Sequence, residues 1–103
     1  MKFKIYRGTS EIGGTCVELT ADNGCCIWID LGLPLSTTNP DVSYSINKTP
    51  DALLISHSHQ DHYGLMDKIG LNVPIYMGEV CKDLINATKL FLDLPFLNQN
   101  IIE

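Results

Sequence analysis

The sequence predicts a small α/β domain in which a mixed β-sheet is flanked by helices. Three features lead there. Residues 2–30 read as a strand followed by a hairpin, later segments alternate strand and helix signals, and one short apolar strand runs straight into a dense polar cluster. With 103 residues the chain has room for one domain and not two. A domain of this size buries somewhat over ~60% of its unfolded surface, so it needs no covalent staples.

The elements follow in chain order. Lys2, Phe3, Lys4 and Ile5 alternate polar and apolar, the period of a half-buried strand, and Gly8 with Gly13-Gly14 bracket a loop. Within that loop Glu11 is a candidate for the mouth of a site, although turn chemistry explains it equally well. Residues 15–20 are rich in β-formers, Asp22-Asn23-Gly24 supplies a turn, and residues 25–30 resume β character, which together make a hairpin. On its second arm Trp28, Ile27 and Ile29 are expected in the core. Pro34, Pro40 and Pro50 among Ser, Thr and Asn mark residues 31–50 as a long loop. Residues 51–56 form a short apolar run, as in a strand buried on both faces. A short helix is expected over residues 64–69, stopped by Gly70, then a strand over residues 73–77. From Gly78 to about Leu94, Val80, Leu84, Ile85, Thr88, Phe91 and Leu92 recur at three- and four-residue steps, predicting an amphipathic helix that ends before Pro95. No element is expected in residues 96–103.

Composition narrows the class. A hydrophobic share of 45% marks a core-forming chain. Seven basic against 12 acidic residues give a net charge of −5, which argues against a nonspecific polyanion binder. Cys16, Cys25, Cys26 and Cys81 form no C-x-x-C pair and read as small hydrophobes in a reducing compartment. The basic N-terminus is followed by Gly8-Thr9-Ser10-Glu11 instead of an apolar run, so no signal peptide is expected. With no long apolar span either, the expected location is the cytoplasm and no membrane partner is expected.

The chemistry concentrates in Ser56-His57-Ser58-His59-Gln60-Asp61-His62-Tyr63-Gly64, which holds all three histidines of the chain. Imidazole and carboxylate are the ligands preferred by borderline divalent metals such as zinc. His57 and His59 are two apart, so an extended backbone throws both to one side, whereas Asp61 and His62 are adjacent and cannot easily join that same face. That spacing favours two neighbouring ions over one. Tyr63 and Tyr76 are expected to pack, and Cys81 to be inert.

The H-x-H-x-D-H wording after an apolar strand resembles the signature of the metallo-β-lactamase superfamily of metal-dependent hydrolases. The resemblance implies that His57 and His59 bind one metal and that Asp61 and His62 bind a second, the four together forming the catalytic centre. Ile29-Asp30-Leu31-Gly32 looks like the family's strand-ending Asp-x-Gly, whose aspartate, here Asp30, supports the metal-binding loop from behind. The wording of residues 8–14 and 29–35 looks like the ribonuclease J and β-CASP branch.

The family fold is an αββα four-layer sandwich of two similar halves, and this chain has length for its N-terminal half. The later family motifs, which supply further histidines, are absent, since no histidine follows His62. Residues 1–103 are therefore expected to be the N-terminal portion of a longer enzyme, inactive and weak in metal binding when alone, and apt to self-associate through exposed apolar surface. The intact enzyme is expected to hold two divalent ions, zinc first with manganese or iron as alternatives, and to hydrolyse RNA or another phosphodiester through a metal-bound hydroxide. Three other activities compete with this one: hydrolysis of a small ester, thioester or lactam; a noncatalytic metal-binding or interaction module; and a di-iron oxidoreductase domain.

Overall fold

A computed structural model describes residues 1–9, 13–35 and 46–103 of the chain. Glu11, and residues 36–45 of the expected long loop with Pro40, lie outside the described residues. Strands β1 (Lys2–Arg7), β2 (Cys16–Thr20), β3 (Cys26–Ile29), β4 (Ala52–Leu54), β5 (Ile75–Tyr76) and β6 (Ile101–Ile102) lie side by side in that order in one six-stranded sheet. Helix α1 spans Gln60–Tyr63, a 3₁₀ turn spans Met66–Lys68, and helix α2 spans Glu79–Phe91.

Connection length explains the mixed pairing. β1 to β3 are antiparallel, and β2 and β3 are joined by a tight turn in which Gly24 takes φ +89° and Asn23 Oδ1 accepts the Cys25 N–H. β3 to β6 are parallel, and each of those pairs is separated by the longer crossover that parallel strands require. Asp51 locks the β3–β4 register, giving its N–H to the Cys26 carbonyl and accepting the Cys26 N–H on its carboxylate.

One face of the sheet carries the core. Trp28, Leu53 and Ile75 stand in register across β3, β4 and β5, fully buried, and Leu31, Leu65, Met66, Ile69 and Ile85 pack with them. Glu18 is buried beside Trp28, and its Oε2 accepts the Tyr6 hydroxyl and the Trp28 Nε1–H, each at 2.9 Å. Its Oε1 receives Lys48 Nζ at 2.9 Å, tying the chain ahead of β4 to the sheet. Burial alone would raise the Glu18 pKa, but hydrogen bonds from Trp28, Lys48, Tyr6 and Cys26 outweigh it and hold the carboxyl at about 2.

The opposite face is apolar as well. Register places Ile5, Val17, Ile29, Leu54, Tyr76 and Ile102 in one row crossing all six strands, with Ile5, Tyr76 and Ile102 exposed. Over this row a concavity of about 450 Å³, whose lining includes Ile29, Leu54, Tyr76 and Ile102, reaches to Ser56.

Several elements differ from the sequence expectation. The expected helix over residues 64–69 is reduced to the 3₁₀ turn at Met66–Lys68, and α1 lies ahead of it, capped by Gly64, so Asp61 and His62 of the polar cluster stand on a helical turn. Residues 101–102 pair with β5, where no element was expected. In α2 only Ile85 is buried, while Val80, Leu84 and Phe91 face solvent. Tyr63 is buried as expected, but Tyr76 is exposed, and Ile27 and Ile29 are half-buried because they lie on the sheet face opposite the core.

Candidate metal centre

Asp30, His57, His59, Asp61 and His62 meet at the C-terminal ends of β3 and β4, the edge where open α/β sheets place ligands. β3 stops at Asp30, whose φ of +63° turns the chain out of the sheet. Few residues other than glycine tolerate that region, and aspartate is among them because its short side chain can bond locally. Here the side chain bonds across the site. Asp30 Oδ1 accepts the Ser56 N–H at 2.7 Å, and Oδ2 receives both the Ser56 hydroxyl and His62 Nδ1, each at 2.7 Å. Asp30 is buried, and its own N–H donates to the Leu54 carbonyl, so one residue stitches the ends of both strands together.

The turn after β3 also holds the cluster by its backbone. Leu31 N–H donates to the His62 carbonyl and Leu33 N–H to the Gln60 carbonyl, both at 2.9 Å, while Thr15 N–H donates to the Asp61 carbonyl at 3.2 Å. This contact is close enough to dictate glycine. A Cβ on Gly32 would lie 1.7 Å from the Asp61 carbonyl oxygen, and one on Gly13 would lie 2.9 Å from Asp61 Cβ. The glycines of both flanking loops therefore admit the helical turn that carries Asp61 and His62.

Within this frame His57, His59 and Asp61 each offer a ligand atom, all within 4.8 Å of one another. Donors about 2.1 Å from one ion stand roughly 3–3.5 Å apart, so modest side-chain rotation closes the set. His62 sits beside them. Its ring centroid is 3.7 Å from that of His57, and its Nε2 is 3.5 Å from Asp61 Oδ2. The sequence spacing argued that Asp61 would not share a face with the first two histidines. The α1 turn instead brings the Asp61 carboxylate within reach of His57 and His59 and within 3.5 Å of His62 Nε2.

Two nitrogens and a carboxylate oxygen, half-buried or exposed, suit zinc or a similar divalent ion. Ser56 was not singled out by the sequence. Its position, at the end of an apolar strand and directly before the first histidine, was the signal available. All four cysteines are free thiols, and burial pushes the Cys16 thiol up to about 12 and raises Cys81, which leaves both inert toward the site.

No protein-family model matches the chain. Over 56 residues, half of this chain, the sequence is 32% identical to ribonuclease J of Sinorhizobium meliloti, and the matched part spans a tenth of that protein's length. A crystal structure of a protein of unknown function from Enterococcus faecalis V583 superposes with a TM-score of 0.66 at 21% identity. It covers 98% of this chain and 32% of its own, so the two share a fold over nearly all of the present chain. The chain thus spans well under two thirds of either protein.

Proposed function

We propose that this chain is the N-terminal, metal-holding half of a metallo-β-lactamase-type hydrolase that acts on RNA or a related phosphodiester. The observation that carries the reading is the convergence of His57, His59 and Asp61, with His62 held from behind by the buried Asp30. The partial likeness to ribonuclease J supports the nuclease assignment over other hydrolases. His57 and His59 would hold one divalent ion, and His62 with Asp61 a second. When bound, such ions supply Lewis acidity and an activated water at neutral pH. The protein's own contribution is orientation. Asp30 fixes the His62 ring, the Gly32 contact fixes the α1 backbone, and the Asp61 carboxylate would align a nucleophile.

The apolar row from Ile5 to Ile102, half-buried or exposed among the described residues, supports the half-sandwich reading, since a sheet apolar on both faces needs a second layer. Without that layer the same row would drive self-association. Free thiols fit the cytoplasm, and among the described residues no helix is long and apolar enough to cross a membrane. The test is hydrolysis of RNA by the product of the whole gene beside its His59→Ala form. Metal-dependent cleavage lost in the variant supports the proposal, and turnover of small esters without cleavage of RNA replaces the substrate class.

A further inference from the structure

Ser56 sits between the buried carboxylate and the first histidine. Its Oγ is 2.7 Å from Asp30 Oδ2, 3.0 Å from His57 Nδ1 and 3.5 Å from His62 Nδ1. A carboxylate only accepts, so the single Ser56 hydroxyl proton must lie on the 2.7 Å path to Asp30, since two bare oxygens would repel at that distance. With its proton committed, Ser56 can serve His57 only as an acceptor. The His57 Nδ1 must then carry a proton, which leaves the lone pair on Nε2. His62 follows the same logic without an intermediary, because its Nδ1 donates directly to Asp30 Oδ2 at 2.7 Å, a shorter path than the 3.5 Å to Ser56.

We propose that Ser56 is a positioning residue that relays Asp30 to His57, so that one buried carboxylate sets the ring tautomer of two site histidines and turns the Nε2 of each toward the metal position. The inference rests on the metal-site reading for its purpose but not for its geometry. Backing hydrogen bonds of this kind fix ligand orientation and basicity, and losing one costs roughly 10–100-fold in metal affinity.

Long-range ¹H–¹⁵N imidazole spectra of the 103-residue chain, recorded with no metal added, read the tautomers directly. Both His57 and His62 are expected to carry the proton on Nδ1. Ser56→Ala should release His57 toward the Nε2–H form while His62 keeps its Nδ1 proton, and Ser56→Thr, which retains the hydroxyl, should restore His57. Zinc affinity should fall about tenfold in Ser56→Ala and recover in Ser56→Thr. An Nε2–H His57 in the unmodified chain overturns the relay, as does a Ser56→Ala spectrum in which His57 is unchanged or His62 shifts equally. If the tautomers are as expected and zinc binds neither to this chain nor to the product of the whole gene, the hydrolase reading fails and the relay stands.

Discussion

Asp30 Oδ2 lies 2.7 Å from Nδ1 of His62, a residue 32 positions further along the chain, and this contact joins the end of β3 to the helical turn that carries half of the candidate ligands. Because Asp30 also takes the Ser56 N–H and hydroxyl, its removal orphans three donors at once. Asp30→Ala is expected to lower zinc affinity by about 10–100-fold and to broaden the His62 ring signals. Titration calorimetry with the same spectra checks both, and unaltered affinity contradicts the supporting role of Asp30.

Gly32 provides a steric test of the same frame. Gly32→Ala places a methyl group against the Asp61 carbonyl, and because both partners are backbone the turn must move. The expected cost is about 3 kcal/mol or more. Gly78→Ala, where nothing lies within 4 Å, should cost under about 1 kcal/mol at the start of α2. Urea denaturation of both variants provides the comparison, and equal stabilities would sink the close-contact argument.

Glu18 gives the fold its acid sensitivity. Its carboxyl is held at about 2 in the folded chain, below the ordinary value of 4.5, so the folded state favours the ionised form. The resulting stabilisation is fully present above about pH 5 and is lost as pH falls toward 2. Glu18→Gln should therefore lower stability at pH 7 by on the order of 2 kcal/mol and flatten the decline between pH 5 and 2. Thermal melts across that range measure it, and a variant whose acid decline keeps its full steepness contradicts the assignment.

The two faces of α2 predict opposite mutational costs. Ile85 is fully buried and Phe91 is 91% exposed. Ile85→Ala should cost about 2–5 kcal/mol and Phe91→Ser less than about 0.5 kcal/mol. Similar losses in both variants would mean that Phe91 is covered in solution.

Cys25 is exposed, whereas Cys16 and Cys26 are buried and burial raises both thiols. A thiol reagent at pH 8 should label Cys25 quickly and reach Cys16 and Cys26 only on unfolding. Peptide mapping by mass spectrometry reads this, and rapid labelling of Cys16 in the folded chain runs against the predicted order.

Much of this was legible in the sequence. The strands to β5 along the chain and the hairpin followed from local alternation and from Asp22-Asn23-Gly24, because those signals are confined to neighbouring residues. The cluster of candidate metal ligands followed from ligand type, since all the histidines lie in one segment. Long-range geometry was not accessible in the same way. β6 exists because Ile101 and Ile102 add to an edge supplied by β5, and two residues carry no period of their own. The face of α2 was misread because Val80, Leu84 and Phe91 form as regular an apolar stripe as the buried side. Asp61 was set apart from His57 and His59 on the assumption of extended backbone, and the turn of α1, admitted by Gly32 and Gly13, reversed that geometry. The Ser56 contact required knowing that β3 and β4 end side by side.

The central claim is that His57, His59, Asp61 and His62 hold metal, and zinc titration of the chain followed residue by residue in ¹H–¹⁵N spectra tests it most directly. The account predicts that signals of these four residues move together on zinc addition, and that His57→Ala and His59→Ala each weaken binding at least about tenfold. Zinc that binds with equal affinity to both variants, or that moves other residues and leaves these four still, contradicts it.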